Sequence, residues 1–302
     1  EIGFCLVGSE MCIRDSHNTA QKAAKLVNIE ILDDEEPIFD LKIAMKRNSL
    51  VMPKMLLKKG DALKKINNSE YVIEDEITIG GQDHFYLEGQ ISLVIPDEDN
   101  KFTVWSSTQH PTEVQHCVAN VLGISQAKVT SKVRRLGGGF GGKESQASII
   151  ASITALCSWY FGKPAKLRLT RHDDMLATGK RHDFLSLYKV GFNSDGRIQG
   201  LEVNLLSRAG NVADLSGPVM TRAMTHIDNC YSLKNVTING YCCKTNTVSN
   251  TAFRGFGGPQ GIITIETIID NIARKLNRPI EEIRNKTVSY THLRAHETES
   301  YL

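Results

Sequence analysis

No apolar run in the 302 residues approaches the ~18 needed for a membrane-crossing helix, so none is expected. No Cys-x-x-Cys pair occurs among the seven scattered cysteines, and only Cys242 and Cys243 are adjacent. That spacing argues against a zinc site or a disulfide framework and fits a reducing, cytoplasmic compartment. The net charge of +2 is small and unclustered, which gives no electrostatic case for nucleic acid or anionic lipid. His84, His110, His116, His172, His182 and His226 offer no metal-ligand spacing and read as packing or surface residues. There is no internal repeat, no low-complexity tract and no long apolar core of a signal peptide. What is present, 41% hydrophobic and 23% charged residues, is the composition of a globular protein with one large domain or two ordinary ones.

The two ends share an oddity. Residues 288–298 can be written as codons of one DNA string whose reverse complement, read in another frame, translates as residues 6–16. The string resembles a transposase adapter used to prepare sequencing libraries. Residues 1–16 and 287–302 are therefore expected to be non-native tails and are set aside from fold reasoning, together with Cys5, Cys12, His292 and His296. Both native termini are then expected to lie elsewhere.

Between these tails, residues 21–27 read as the end of a helix and 28–32 as a strand. The Lys-, Asp- and Asn-rich stretch 54–69 reads as a connecting loop. Strands are expected at 71–79, 90–95, 101–106, 129–133 and 166–170. Thr112 is a candidate cap for a helix whose apolar face carries Val114, Val118, Val121 and Leu122. A longer helix follows, expected to bury Ile149, Ile150, Ile153, Leu156 and Tyr160, with Cys117 and Cys157 as core residues on helices. Asn193-Ser-Asp-Gly196 marks a hairpin between 184–192 and 197–206. Helices close the chain from about 259 to 276 and again after Arg278-Pro279. Antiparallel hairpins mixed with long helices predict an α+β fold rather than a parallel doubly wound sheet.

Two glycine clusters stand out. Leu136-Gly-Gly-Gly-Phe-Gly-Gly-Lys-Glu144 lies between a strand and a helix, where exposed backbone N–H groups suit an anionic or oxo ligand. Its Gly137, Gly142 and Lys143 have P-loop spacing, but Glu144 stands where a hydroxyl for Mg²⁺ is required, and a carboxylate there repels phosphate. It is not a dinucleotide fingerprint either, because no second parallel strand ends in an acidic residue about 20 positions on. Alone it could be a structural turn. The second cluster, Thr251-Ala-Phe-Arg-Gly-Phe-Gly-Gly-Pro-Gln260, interleaves Phe253, Arg254 and Phe256 with glycines. Aromatic faces, a fixed donor fork and close backbone approach suit a flat ligand, and no tight turn needs that combination.

Together with Gly80-Gly-Gln-Asp-His-Phe-Tyr-Leu-Glu88 and Ser107-Thr-Gln109, these clusters closely resemble the molybdenum-binding part of the xanthine dehydrogenase and aldehyde oxidase family. The resemblance runs from about residue 17 to 286. It implies the end of a hammerhead-type α/β domain with a linker over 17–69 and the first molybdopterin-binding domain over 70–286. It further implies a molybdenum–molybdopterin cofactor whose metal is held by its pterin and not by protein side chains. Gln109 would hydrogen-bond a ligand of the metal, and Phe140 and Arg254 would place backbone groups beside it. Gly138 and Gly139 would touch the pterin. Phe256 would stack on a heteroaromatic substrate with Phe253 behind it. Glu144 and Arg222 would meet the amide-like edges of a purine, a polar pair that aldehyde-oxidising members generally lack.

The implied reaction is hydroxylation of hypoxanthine or xanthine towards urate. Electrons would pass through 2Fe-2S clusters and FAD, on other regions or partner subunits, to NAD, in an enzyme expected to be a dimer. The family's general base is a glutamate far downstream of the second cluster, and no residue of this sequence is assigned to it. The chain as written is thus expected to be half an active site, neither holding the cofactor stably nor turning over. An aldehyde or other N-heterocycle hydroxylase is the near alternative, and a non-catalytic scaffold or assembly module the alternative of another class.

Overall fold

The computed structural model describes residues 9–12, 17–30 and 35–288. Most of both tails, and residues 31 and 32 of the strand expected at 28–32, lie outside these. Residues 27–30 have no regular structure, and the first helix ends at Ala24. In chain order, β1 (Ser9–Cys12) and α1 (His17–Ala24) come first, then α2 (Leu41–Lys46), β2 (Met55–Lys59) and α3 (Ala62–Asn67). After β3 (Tyr71–Ile79) come β4 (Ile91–Asp97), β5 (Lys101–Ser106), α4 (Pro111–Leu122), β6 (Val129–Lys132) and α5 (Gln146–Phe161). Then follow β7 (Ala165–Leu169), α6 (Arg171–Ala177), β8 (Phe184–Phe192) and β9 (Ile198–Gly210). The chain continues through α7 (Ser216–Thr225), β10 (Val236–Lys244), α8 (Gly258–Leu276) and α9 (Ile280–Thr287).

The chain divides into two compact units, one built on Gln82–Arg181 and Val248–Arg254, the other on Ile38–Gly81, His182–Thr247 and the residues from Gly255. In the first unit the sheet order is β1-β7-β4-β5-β6, antiparallel except for the parallel pair β5/β6. Helix α4 makes that crossover, which parallel strands require. Val94, Val104, Val114, Val118, Val129, Ala151 and Ala155 form its core. In the second unit the order is β2-β10-β9-β8-β3, again antiparallel apart from one parallel pair, β9/β10, crossed over by α7. Its core runs from Phe184, Phe192 and Leu205 on the sheet to Met220, Ile265 and Ile269 on α7 and α8. The α+β expectation holds, with one crossover in each unit.

Four local expectations are corrected. Residues 54–69 are not a loop but β2 and α3. The Asp61 side chain accepts the Lys64 N–H as an N-cap, and Ala62 and Ile66 are buried against Gly200 and Gly191, where a Cβ would meet Ala62 O at 2.6 Å and Ile66 Cα at 2.7 Å. The lysines face outward, so a polar composition conceals an amphipathic turn. Thr112 is not the cap of α4: Pro111 opens the helix, its missing N–H and fixed φ suiting that first position, and His110 stands at the cap. Third, α5 buries its small face. Ala147, Ala151, Thr154, Ala155 and Ser158 are buried along with Ile150, while Ile149, Leu156 and Tyr160 are exposed, Tyr160 at 75%. Small side chains let the helix lie close to β4 and α4, which turns the large ones outward. Val121 is likewise exposed on α4, and Cys117 and Cys157 are only half-buried. No helix of the described residues is long and apolar enough to cross a membrane.

Candidate functional site

Because β5 and β6 run parallel, the segments that leave them emerge at the same edge of the first unit's sheet. Gln109 follows β5, and the loop 137–145 follows β6, so topology alone brings them together. Gln109 Oε1 accepts the N–H groups of Gly141 at 2.8 Å and Lys143 at 3.3 Å, while Gln109 N–H donates to Lys143 O at 2.8 Å. With the oxygen engaged twice, the amide cannot flip without losing both bonds, and Nε2 is left as a donor. It has no acceptor among the described residues of the unit.

The loop can adopt this path only with glycine. A Cβ on Gly139 would lie 2.4 Å from Gln109 Oε1, and one on Gly141 (φ +101°) 2.6 Å from Ala252 O. Phe140 itself has φ 55°, a costly conformation for a bulky residue, and is 47% exposed. The N–H groups of Gly138, Gly139 and Phe140 donate to nothing among the described residues of the unit. Glu144 is half-buried, and its carboxylate forms no hydrogen bond or ion pair with the described residues of the unit. Lys143, which completed the apparent P-loop, is wholly buried, its ammonium turned to Glu88 O and Ser107 Oγ and away from any phosphate position.

The first half of the Phe-Arg-Gly-Phe cluster docks on the same loop. Arg254 N–H donates to Phe140 O at 2.9 Å. His84, from the Gly80–Glu88 segment, lies with its Nε2 2.6 Å from Ala252 O and its ring 4.8 Å from that of Phe253. Arg181 packs on the same Phe253 ring: its guanidinium is 4.0 Å from the ring centre, Nη2 donates to Arg254 O at 2.7 Å, and Nε to Gln82 Oε1 at 2.6 Å. Sequence alone assigns His84, Glu88, Lys143 and Arg181 no part in the site, His84 being read there only as packing or surface. The first three sit within the quoted motifs, which is a signal, but which atoms they hold was not readable there.

In the second unit the same topology recurs. Strands β9 and β10 are parallel, so residues 211–215, which lead into α7, and residues 245–247 leave from one edge. Gly257 (φ +90°) and Gly261 bring α8 against the α7 backbone, where a Cβ would stand 2.1 Å from Val219 O and 2.3 Å from Ala223 O. Arg222 is exposed on α7, and its Nε lies 3.8 Å from a Cβ position on Gly258, two residues after Phe256. Phe256, half-buried with φ 49°, packs on the core. His226 Nδ1 bonds Arg222 O at 2.8 Å, fixing the end of the helix. Thus Gln109, Gly138, Gly139, Phe140, Glu144, Phe253 and Arg254 belong to one unit and Arg222 and Phe256 to the other.

These residues fit a cofactor that brings its own metal ligands. The first unit offers a Cβ-free cradle at 138–139, three unengaged N–H donors and one oriented amide. Among the described residues no group of three or more His, Cys, Asp or Glu side chains is placed to hold a metal ion.

The profile of the molybdopterin cofactor-binding domain matches residues 45–288. The chain belongs to that family. It is 43% identical over 273 residues to the xanthine dehydrogenase/oxidase of Gallus gallus and 43% identical over 278 residues to the xanthine dehydrogenase of Oryza sativa. These alignments cover 90% and 91% of this chain but 20% of either relative, so the chain spans about a fifth of the length of the curated relatives it matches. An aldehyde oxidoreductase from Desulfovibrio desulfuricans shares the fold, with a TM-score of 0.83 at 22% identity over 91% of this chain and 31% of that one. The resemblance read from the four motifs is borne out at the level of the family.

Proposed function

We propose that the chain forms the first molybdopterin-binding part of a molybdenum hydroxylase of the xanthine dehydrogenase kind, with the end of a hammerhead-type domain over 17–69 and the binding domain proper over 70–286. The substrate is hypoxanthine or xanthine, hydroxylated towards urate in the cytoplasm by a dimeric enzyme. When bound, the molybdenum cofactor supplies the two-electron oxidation of the ring carbon. The 2Fe-2S clusters, FAD, NAD site and general-base glutamate belong to regions outside 17–286.

The observation that carries the reading is the Gln109 amide, held by its oxygen so that its nitrogen is the end offered to a ligand of the metal. Gly138 and Gly139 would give the pterin backbone to lie on, and the Phe140 and Arg254 main chain would border the metal. Phe256 supplies an aromatic face to the purine, and Phe253 is a second aromatic of the substrate site. Glu144 accepts from one N–H edge of the ring, and Arg222 stabilises charge gathering on its oxygen. The 43% identity to xanthine dehydrogenases supports the purine over an aldehyde.

The test is Arg222→Met in the full-length enzyme. Loss of a charge-assisted contact should lower kcat/KM for xanthine by about 100-fold while aldehyde oxidation stays within about threefold. A wild-type enzyme that oxidises aldehydes and ignores purines would replace this reading with the aldehyde-oxidising alternative.

A further inference from the structure

The most deeply buried charge in the first unit is the Lys143 ammonium. Its side chain is 0% exposed, yet it neither touches the exposed donors of the loop nor reaches solvent. Nζ donates to Glu88 O at 2.5 Å and to Ser107 Oγ at 2.7 Å, lies 3.6 Å from Glu88 Oε2, and stands 4.5 Å over the Tyr86 ring. Ser107 in turn donates to Glu88 Oε2 at 2.8 Å, and the same oxygen accepts the Gly137 N–H at 2.8 Å. Glu88 N–H closes the circle on Gly137 O at 3.1 Å. One end of the glycine loop is thereby tied to Glu88 and the other, through Lys143, to Glu88 and Ser107.

The backbone of Lys143 is equally committed. Its carbonyl accepts Gln109 N–H and Thr108 Oγ1, and its N–H donates to Gln109 Oε1. The residue that anchors the loop in the core is therefore the residue that clamps Gln109. The ammonium is buried but the Glu88 side chain is 40% exposed, so the 3.6 Å ion pair itself adds little net stability. What it supplies is a single allowed geometry, because any slip of the loop leaves an uncompensated charge in the core.

We propose that Lys143 is a positioning residue for Gln109: the buried link to Glu88 and Ser107 sets the register of residues 137–143 and so fixes which way the Gln109 amide donates. This rests on the reading of Gln109 as a partner of the molybdenum cofactor. The test compares Lys143→Met, Gln109→Ala and the double variant in the cofactor-loaded full-length enzyme. It follows backbone hydrogen exchange over 137–144, the molybdenum EPR spectrum, and kcat against KM. Lys143→Met should speed exchange of the loop amides at least 10-fold, lower kcat about 10-fold with KM unchanged, and shift the spectrum as Gln109→Ala does. The double variant should be no worse than Gln109→Ala alone. A Lys143→Met enzyme with a lower melting temperature but wild-type loop exchange and spectrum would overturn the proposal. Should Lys143→Met fail to fold, Ser107→Ala removes one contact of the ammonium, and the same loop exchange and spectrum decide. A silent Gln109→Ala beside a loosened loop in Lys143→Met would instead overturn the cofactor reading of Gln109.

Discussion

Gln109 Oε1 accepts the Gly141 N–H at 2.8 Å, and that bond decides which end of the Gln109 amide is left to meet a ligand. Gln109→Glu separates the two ends chemically. A carboxylate oxygen can keep the bonds to Gly141 and Lys143, so thermal stability should stay within about 1 kcal/mol of wild type. The donor, however, is gone. Losing one hydrogen bond to a charged or strongly polar partner should lower kcat about 10–100-fold at equal cofactor content. Steady-state kinetics with molybdenum content measured on the same sample checks this, and an unchanged kcat counts against the assignment.

Two glycines that both exclude a side chain should fail in different ways. At Gly139 the intruding Cβ meets Gln109 Oε1, the far end of a flexible side chain. Gly139→Ala should therefore displace Gln109 and cost activity with a stability change of about 1 kcal/mol or less. At Gly257 the φ of +90° is itself unfavourable, and the Cβ would strike the Val219 carbonyl, which belongs to helix backbone. Gly257→Ala should cost about 2–4 kcal/mol, read as a lowered urea midpoint, because nothing there can yield cheaply. Equal losses of stability in the two variants would refute the distinction.

How legible this was in the sequence depended on what each residue contacts. Strands β3, β5, β6 and the β8–β9 hairpin follow from alternation and turn chemistry, which are local. The pairing of β10 between β2 and β9 is not local, and β10 had no turn signature to announce it. Helix α5 is apolar almost all round, so periodicity could not say that Ala151 and Ala155 face inward and Tyr160 outward. The glycine clusters were readable as sites because glycine, phenylalanine and arginine together serve no ordinary turn. The struts behind them were not: Arg181 and His84 reveal their work only through the carbonyls of Arg254 and Ala252, distant in sequence.

His84 makes the stability of the first unit sensitive to mild acid. Burial holds its pKa below the ordinary 6.5, outweighing the Ala252 carbonyl that pulls the other way. The unfolded chain then takes up a proton below about pH 6.5 while the folded chain stays neutral, so stability falls as pH drops through that window. Glu88 extends the loss to lower pH. Burial raises its pKa, but the Gly137 N–H, the Ser107 hydroxyl and the Lys143 charge together hold it below 4.5, so its contribution disappears as the pH falls through that lowered value. The urea midpoint should decline from pH 7.5 to 5.5, and His84→Phe should flatten that decline. Parallel slopes for wild type and variant would show that His84 does not titrate in this way.

Arg181 joins three separate pieces of the first unit, and a double-mutant cycle can measure one of the joints. The residue is 7% exposed, with Nε on Gln82, Nη2 on the Arg254 carbonyl and the guanidinium carbon over Phe253. Lysine could keep the charge but not the fork or the stacked plane, so Arg181→Lys should cost about 2–4 kcal/mol. Phe253→Leu should remove the aromatic face while filling most of the space. A desolvated cation over an aromatic ring is worth about 1–2 kcal/mol beyond burial, so the coupling between the two substitutions should fall in that range. A coupling below about 0.3 kcal/mol would mean that Arg181 holds the cluster through the Arg254 carbonyl alone and that Phe253 is merely its neighbour.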